Sequence, residues 1–170
     1  MVILQPMTSA NFGRIVEGEP LFGACRPGHL GGDLEQWREI LRTRDVSGVV
    51  CLLSEREAGR WGCPAAYDDA FETAHVPIRD RHLPDLERLE RAVDILGRQT
   101  AAGENVAIHC NAGLGRTGVV AAGWLVGDRG YAPEAALEAV ETRPWPRAPR
   151  EAIRDGNATE AELVDLLDRL

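Results

Sequence analysis

The chain has 170 residues, of which 44% are hydrophobic, and its 27 acidic and 19 basic residues give a net charge of −8 at pH 7. This length suits one ordinary hydrophobic core, so we expect a single domain over residues 1–170. The acidic excess disfavours nucleic acid and anionic membranes as partners. We expect a cytoplasmic protein, because the first residues lack the pattern of a signal peptide and the longest apolar run, 118–127, is too short to span a bilayer.

The first half of the chain predicts alternating strands and helices from its hydrophobic periodicity and its turn residues. In chain order these are an opening strand or hairpin over 14–25, a helix capped by Asp33, a buried strand over 49–53, a short helix over 64–71, a strand over 74–78 and a long helix after Pro84. The run over 49–53 is continuously apolar, which is typical of a parallel strand covered on both faces.

The second half continues the alternation. It predicts a strand over Asn105–His109, an apolar helix over 117–126, a helix over 134–142, a proline-rich surface loop over 143–150, and a last helix that Thr159 and Glu162 open with a capping box. Together these elements predict an α/β fold with a central, mainly parallel sheet flanked by helices.

One stretch between a strand and a helix carries chemistry. It consists of His109, Cys110, Asn111, Ala112, Gly113, Leu114, Gly115, Arg116 and Thr117. The two glycines let the backbone curl, so that successive amides and a helix N-terminus point at one anion. Arg116 adds a guanidinium whose fork matches phosphate oxygens. The stretch therefore predicts a phosphate cradle with a sulfur atom at its floor.

The same electrostatic field acts on the sulfur. Free thiols have a pKa of about 8.5, and helix N-termini or neighbouring cations lower such values to roughly 3.5–7.5. We therefore expect Cys110 to be a thiolate at neutral pH. The other three cysteines, at positions 25, 51 and 63, lack the paired spacing of a zinc site, and we expect all four to be reduced.

The stretch resembles the His-Cys-x5-Arg-Ser/Thr signature of the cysteine-dependent protein tyrosine and dual-specificity phosphatases, in the form found in small atypical dual-specificity members. The similarity extends across residues 22–150. It implies a fold like that of the protein tyrosine phosphatases, a nucleophilic Cys110, a phosphocysteine intermediate, and no requirement for a metal or cofactor. It also implies that phosphate is bound by Arg116 together with the loop residues Asn111, Ala112, Gly113, Leu114 and Gly115.

Members of this family protonate the leaving oxygen with an aspartate that precedes the cysteine by about thirty residues. Asp80 matches that position and is favoured as the general acid, which typically contributes about 10²–10⁴-fold. Asp85 is the rival, although it also suits the cap of the long helix. The resemblance further implies that Thr117 donates a hydrogen bond to the departing thiolate. No residue of the late loop is a clear candidate for positioning the hydrolytic water.

The sequence allows two roles each for His109 and Cys51. His109 is either a catalytic base or a buried imidazole that orders the loop, and the resemblance favours the second role. Cys51 lies on a neighbouring strand and could protect Cys110 through a reversible disulfide, as in some relatives, although inert core thiols are more common.

We expect hydrolysis of phosphotyrosine, and of phosphoserine and phosphothreonine, in protein substrates. The chain is too short for the long tyrosine-selecting loop of larger relatives, which implies a shallower cleft. The alternatives are a phosphatase of a small molecule, a lipid or a nucleic-acid end, and a catalytically weak module that binds phosphoproteins. The uncharged side chains at positions 111, 112 and 114 weigh against polyphosphorylated inositides.

Overall fold

The computed structural model describes residues 10–142 and 144–170. The strands are β1 (Gly13–Arg14), β2 (Leu21–Ala24), β3 (Val46–Cys51), β4 (Glu72–His75) and β5 (Asn105–His109). The helices are α1 (Leu34–Arg42), α2 (Glu55–Trp61), α3 (Leu86–Ala101), α4 (Gly115–Gly127), α5 (Pro133–Glu141), α6 (Glu151–Arg154) and α7 (Glu160–Asp168), with a short 3-10 helix over Ala65–Tyr67.

The sheet has the order β1-β2-β5-β3-β4. Strands β2, β5, β3 and β4 run parallel to one another, and only β1 pairs antiparallel, with β2. The predicted α/β class with a mainly parallel sheet is therefore confirmed. Because β5 lies at the centre, the loop that follows it emerges between the carboxyl ends of β2 and β3, where open parallel sheets bind ligands.

Side chains along the buried strands alternate between two cores, as the period of two requires. On β3, Val50 joins the core beneath α3, α4, α5 and α7, while Val49 and Cys51 join the core beneath α1 and α2. Helix α4 is almost entirely buried, because it packs against α3, α5 and α7 as well as the sheet. The loop over residues 110–114, called the phosphate loop below, leads directly into α4, so it is followed by a helix that is held rigidly.

Several predicted boundaries were wrong by a few residues. The predicted strand over 74–78 is observed at Glu72–His75, and only Ala65–Tyr67 of the predicted helix over 64–71 is helical. Helix α2 was not predicted, although Ser54 and Glu57 form a capping box at its start. No helix in the described ranges is long and apolar enough to cross a membrane.

The predicted surface loop over 143–150 was also wrong in part. Arg143 lies outside the described residues, and Arg147 is buried, with only 3% of its surface exposed. Its guanidinium donates to the carbonyls of Asn11 and Gly113, and it also contacts the carbonyls of Gly13 and Gly23 in β1 and β2. A proline-rich segment is usually exposed, but this one is held in place by its tertiary contacts.

Candidate active site

Cys110 is the first residue after β5 and is 2% exposed. The hydroxyl of Thr117 donates to its Sγ atom at 3.2 Å. Thr117 lies in the first turn of α4, so the sulfur faces the helix N-terminus, whose unpaired amides and dipole favour an anion. These two predicted site residues are therefore brought together in the arrangement that a thiolate needs.

The carbonyl groups of the loop that follows Cys110 all point away from its centre. Each of the five carbonyls from Cys110 to Leu114 accepts a hydrogen bond from a group outside the loop's own turn. In order, the donors are His109 Nδ1 at 3.0 Å, the Arg26 amide at 3.0 Å, Asn11 Nδ2 at 2.9 Å, Arg147 Nη1 at 2.8 Å and the Ala148 amide at 3.1 Å.

The outward direction of these five carbonyls fixes the direction of the amides that follow them. In a trans peptide the C=O of one residue and the N–H of the next point in opposite directions. The amides of residues 111–115 are therefore directed toward the centre of the loop. Gly113 supports this curl with a φ of 79°, a conformation that other residues rarely adopt. The result is a nest of amides of the kind that binds a phosphate group.

Arg116 lies beside this nest and is 3% exposed. Its guanidinium donates to both carboxylate oxygens of Glu57, at 2.6 and 3.0 Å, and to the Ile78 carbonyl at 2.9 Å. It also forms an ion pair with Asp80 at 3.0 Å. Burial alone would lower the pKa of Arg116, but the hydrogen bond that it donates to Glu57 and the nearby negative groups raise its pKa above the ordinary value.

The two aspartates considered as the general acid occupy different places. Asp80 reaches Arg116, and its side chain is 45% exposed. Asp85 instead caps α3, because its carboxylate accepts from the Arg88 amide at 2.8 Å, and it also pairs with the Arg88 guanidinium. Of the two, the structure brings only Asp80 into contact with the phosphate loop, and the capping role foreseen for Asp85 is confirmed.

Glu57 was missed at the level of the sequence. It lies in the first turn of α2, where its carboxylate accepts from the Ser54 amide at 3.0 Å and from Arg116. Burial would raise the pKa of Glu57, but these hydrogen bonds hold it below its ordinary value. The Ser54-x-x-Glu57 pattern after a buried strand predicts a capped helix, but it does not by itself predict that Glu57 binds Arg116.

His109 is fully buried beneath the loop. A carbonyl can only accept, so the contact to the Cys110 carbonyl puts the proton on Nδ1, and the Tyr67 hydroxyl donates to Nε2. Burial lowers the pKa of His109 to about 4, and the same effect raises the pKa of Tyr67. A neutral imidazole with both nitrogens engaged suits the ordering role rather than that of a base.

The Asn111 side chain faces a second arginine. Its Oδ1 atom accepts from Arg26 Nε at 2.7 Å, and the Arg26 guanidinium stacks 3.4 Å from the ring centroid of Trp61. Trp61 is 39% exposed and ends α2. This aromatic ring lies at the rim of the site, because Arg26 connects it directly to the phosphate loop.

The first residue of α6, Glu151, places one more carboxylate near the nest. A Cβ atom added at Gly115 would lie 2.8 Å from the Glu151 carboxylate, so the two groups are in close proximity. Burial, followed by the charge of Asp80, raises the pKa of Glu151. Glu151 belongs to the segment in which no water-positioning residue could be recognised from the sequence.

The remaining thiols are buried and free. Burial raises the pKa of Cys51 to about 12 and that of Cys25 and Cys63 to about 11. Cys51 and Cys110 are both free, and the reversible disulfide between them stays the less favoured alternative to an inert core thiol. Among the described residues, no group of three or more His, Cys, Asp or Glu side chains is placed to hold a metal ion.

The chain matches a family model described as "Tc-R-P: Polymorphic toxin system, DSP-PTPase phosphatase" over residues 22–129. This match covers more than half of the chain, and the chain therefore belongs to this family. It is a cysteine-based phosphatase of the protein tyrosine and dual-specificity superfamily, as the signature around Cys110 and Arg116 indicated.

Curated relatives agree with this assignment over part of their length. The uncharacterized protein MJECL20 of Methanocaldococcus jannaschii is 34% identical over 47% of this chain and 54% of its own. The rat phosphatidylglycerophosphatase and protein-tyrosine phosphatase 1 is 27% identical over 61% of this chain and 55% of its own. Human dual specificity protein phosphatase 1 is 24% identical over 58% of this chain and 26% of its own. The matches thus cover about half or less of these proteins.

Solved structures show the same fold over nearly the whole chain. A mutant form of Tk-PTP is 27% identical with a TM-score of 0.67, and the alignment covers 94% of this chain and 93% of that one. Human DUSP28 has a TM-score of 0.68 with 94% of both chains covered, and at 17% identity it supports the fold alone.

Proposed function

We propose that the chain hydrolyses phosphomonoesters on tyrosine, and on serine and threonine, of protein substrates through a phosphocysteine at Cys110. In the first step the thiolate attacks phosphorus, an S–P bond forms and the P–O bond to the side chain breaks. Asp80 donates its proton to the departing oxygen. Arg116 and the inward amides stabilise the charge on the equatorial oxygens. The observation that carries this proposal is the Cys110 sulfur beside a nest of five inward amides.

In the second step water attacks the phosphocysteine, Asp80 accepts a proton from that water, and inorganic phosphate leaves. The S–P bond breaks in this step, so the Cys110 thiolate is the leaving group. The hydrogen bond that Thr117 donates to Cys110 Sγ supports its departure, because a donor stabilises the developing negative charge.

A protein substrate is favoured over an anionic membrane lipid by charge. The net charge of −8 opposes approach to a negatively charged surface. Arg26 near the rim is directed at Asn111 and stacked on Trp61. An exposed aromatic ring at the mouth suits the side chain of a peptide.

A lipid substrate is the second candidate, because the name of the rat relative includes phosphatidylglycerophosphatase. Small molecules and nucleic-acid ends are further alternatives, because the same chemistry would hydrolyse their phosphomonoesters. A module that only binds phosphoproteins is disfavoured, because Cys110, Arg116 and Asp80 are all present in one site.

Hydrolysis of p-nitrophenyl phosphate in the presence of EDTA tests the reaction, and Cys110→Ser is expected to abolish it. Cys63→Ser, at a buried cysteine outside the site, is the matched control. Phosphotyrosine and phosphothreonine peptides, phosphatidylglycerophosphate vesicles and 5′-phosphorylated oligonucleotides then compete as substrates. Faster turnover of the vesicles than of every peptide would overturn the protein-substrate proposal.

The assignment of the general acid has its own test. Asp80→Asn is expected to lower kcat about 10²-fold or more and to remove the basic limb of the pH–rate profile. Asp85→Asn keeps an N-cap for α3, since an asparagine oxygen can also accept from the Arg88 amide, and is expected to retain that limb. If the limb disappears in Asp85→Asn and persists in Asp80→Asn, the assignment is wrong.

A further inference from the structure

Arg147 lies on the carbonyl side of the phosphate loop, away from the space where substrate binds. It is 3% exposed, although it belongs to a proline-rich segment between α5 and α6. Its Nη1 atom donates to the Gly113 carbonyl at 2.8 Å and to the Asn11 carbonyl at 2.9 Å. Its Nη2 atom makes longer contacts with the carbonyls of Gly23, at 3.3 Å, and Gly13, at 3.4 Å. One side chain therefore joins the loop to the sheet edge.

The guanidinium of Arg147 has no carboxylate partner among the residues that the structure describes. Within residues 10–142 and 144–170, no carboxylate forms a salt bridge with Arg147, and its Nε atom is buried without a hydrogen-bond partner. Burial lowers the pKa of Arg147 to about 10, and the proximity of the Cys110 and Cys25 sulfurs acts in the opposite direction. A buried cation surrounded only by carbonyls is costly unless an anion lies nearby.

The backbone leaves room for this side chain. A Cβ atom added at Gly23 would lie 2.7 Å from Arg147 Cζ, so β2 accommodates the guanidinium only because residue 23 is glycine. The neighbouring Ala148 amide donates to the Leu114 carbonyl at 3.1 Å. The segment thus holds two consecutive carbonyls of the loop, at Gly113 and Leu114.

We propose that Arg147 is a positioning residue for the phosphate loop. By binding the Gly113 carbonyl it turns the Leu114 amide toward the bound anion, and its buried charge favours an anionic sulfur and a phosphate dianion on the opposite side of the loop. The inference rests on the proposed function, since its consequence is measured on the anion that the loop binds. Arg147 itself does not touch the substrate.

Two variants separate the hydrogen bond from the charge. Arg147→Met removes both, and Arg147→Lys keeps the charge while losing the planar fork. Arg150→Met, in the same segment, is the matched control, because Arg150 pairs with Glu141 and Glu160 outside the site. Tungstate affinity, the pH profile of iodoacetamide alkylation of Cys110, kcat and KM, and Tm are measured on each full-length protein.

Arg147→Met is expected to weaken tungstate binding roughly 10- to 100-fold, as for loss of a charge-assisted hydrogen bond. Its alkylation profile shifts toward higher pH, and kcat falls. Arg147→Lys keeps most of the alkylation profile and recovers part of the tungstate affinity. Arg150→Met matches the wild type in tungstate affinity, alkylation profile and kinetics, while its Tm reports the loss of the ion pairs with Glu141 and Glu160.

A purely structural role would have a different signature. Tm would fall in Arg147→Met and Arg147→Lys, while the alkylation profile and tungstate affinity of the folded fraction stayed at wild-type values, and this result would overturn the inference. Tungstate binding also keeps the two proposals distinguishable. If the wild type hydrolyses no phosphomonoester but Arg147→Met still loses tungstate affinity, the proposed function fails and the positioning role stands.

Discussion

Arg116 and Arg147 flank the same phosphate loop, and each is 3% exposed. Arg116 lies on the side of β3 and β4, where it meets the carboxylates of Glu57 and Asp80. Arg147 lies on the side of β1 and β2, where its hydrogen-bond acceptors are backbone carbonyls. The environment accordingly raises the pKa of Arg116 and lowers that of Arg147 to about 10.

The difference separates two tasks. The carboxylates of Glu57 and Asp80 orient Arg116 and compensate its charge. In the proposed function this charge meets the transferring phosphoryl group. Carbonyls bind Arg147 without compensating it, so the guanidinium holds backbone geometry and adds a positive field behind the sulfur. In the proposed function Arg116 therefore binds the anion directly, and Arg147 acts through the loop.

The largest expected effect tests that separation directly. Arg116→Met is expected to lower kcat about 10²–10³-fold, as for removal of an oxyanion-binding donor. Steady-state kinetics on p-nitrophenyl phosphate provide the measurement. If Arg147→Met lowers kcat more than Arg116→Met does, the division between the two arginines is broken.

His109, which contacts the Cys110 carbonyl on the outer side of the loop, is expected to make stability depend on pH. Burial lowers the pKa of His109 to about 4 from 6.5, so the folded protein keeps a neutral imidazole while the unfolded chain takes up a proton. The stability that comes from keeping His109 neutral is fully present above pH 6.5 and is lost as the pH falls to 4. The free energy of unfolding decreases by about 3 kcal/mol over this range.

Urea unfolding at pH 7 and pH 4.5 measures this change. His109→Gln is expected to flatten the difference between the two pH values, whereas His82→Gln keeps the wild-type difference. Equal pH dependence in the wild type and His109→Gln would show that the buried imidazole does not remain neutral.

The carboxylate side is tested through Glu57. Glu57→Gln leaves Arg116 without its bidentate partner and is expected to cost about 1–3 kcal/mol of stability. We also expect a fall in kcat, because the guanidinium loses its fixed orientation. Glu55→Gln, at an exposed position in the same helical turn, is the control and should retain wild-type values. A Glu57→Gln variant as active and stable as Glu55→Gln would contradict this role.

The smallest expected effect concerns the space around Arg147. Gly23→Ala places a methyl group against the guanidinium and is expected to cost about 1–3 kcal/mol through overpacking, with a several-fold loss of tungstate affinity. Gly59→Ala meets open space in α2 and is expected to stabilise the protein by about 0.5–1 kcal/mol. Thermal unfolding of both variants makes the comparison, and equal Tm values would refute it.

Recognition from the sequence worked best where contacts are local. Cys110, Arg116 and Thr117 lie in one strand–loop–helix segment, so their spacing alone indicates that they share a site. Asp80 required the family resemblance, because its contact with Arg116 spans two elements. Glu57 was identifiable in principle from the capping box with Ser54, although that pattern predicts a helix and not a partner for Arg116.

The sequence by itself determined the α/β alternation, the phosphate-binding stretch and its nucleophile, since these follow from periodicity and from residues close together in the chain. Only the tertiary structure decided what holds the loop's carbonyl side. Asn11, Arg26 and Arg147 reach it from segments 34 to 101 residues away. A buried arginine without a carboxylate partner contradicts the usual preference of charged residues for solvent, and the prolines of its segment predicted a surface loop. Its position depends on carbonyls that converge only when the sheet has formed.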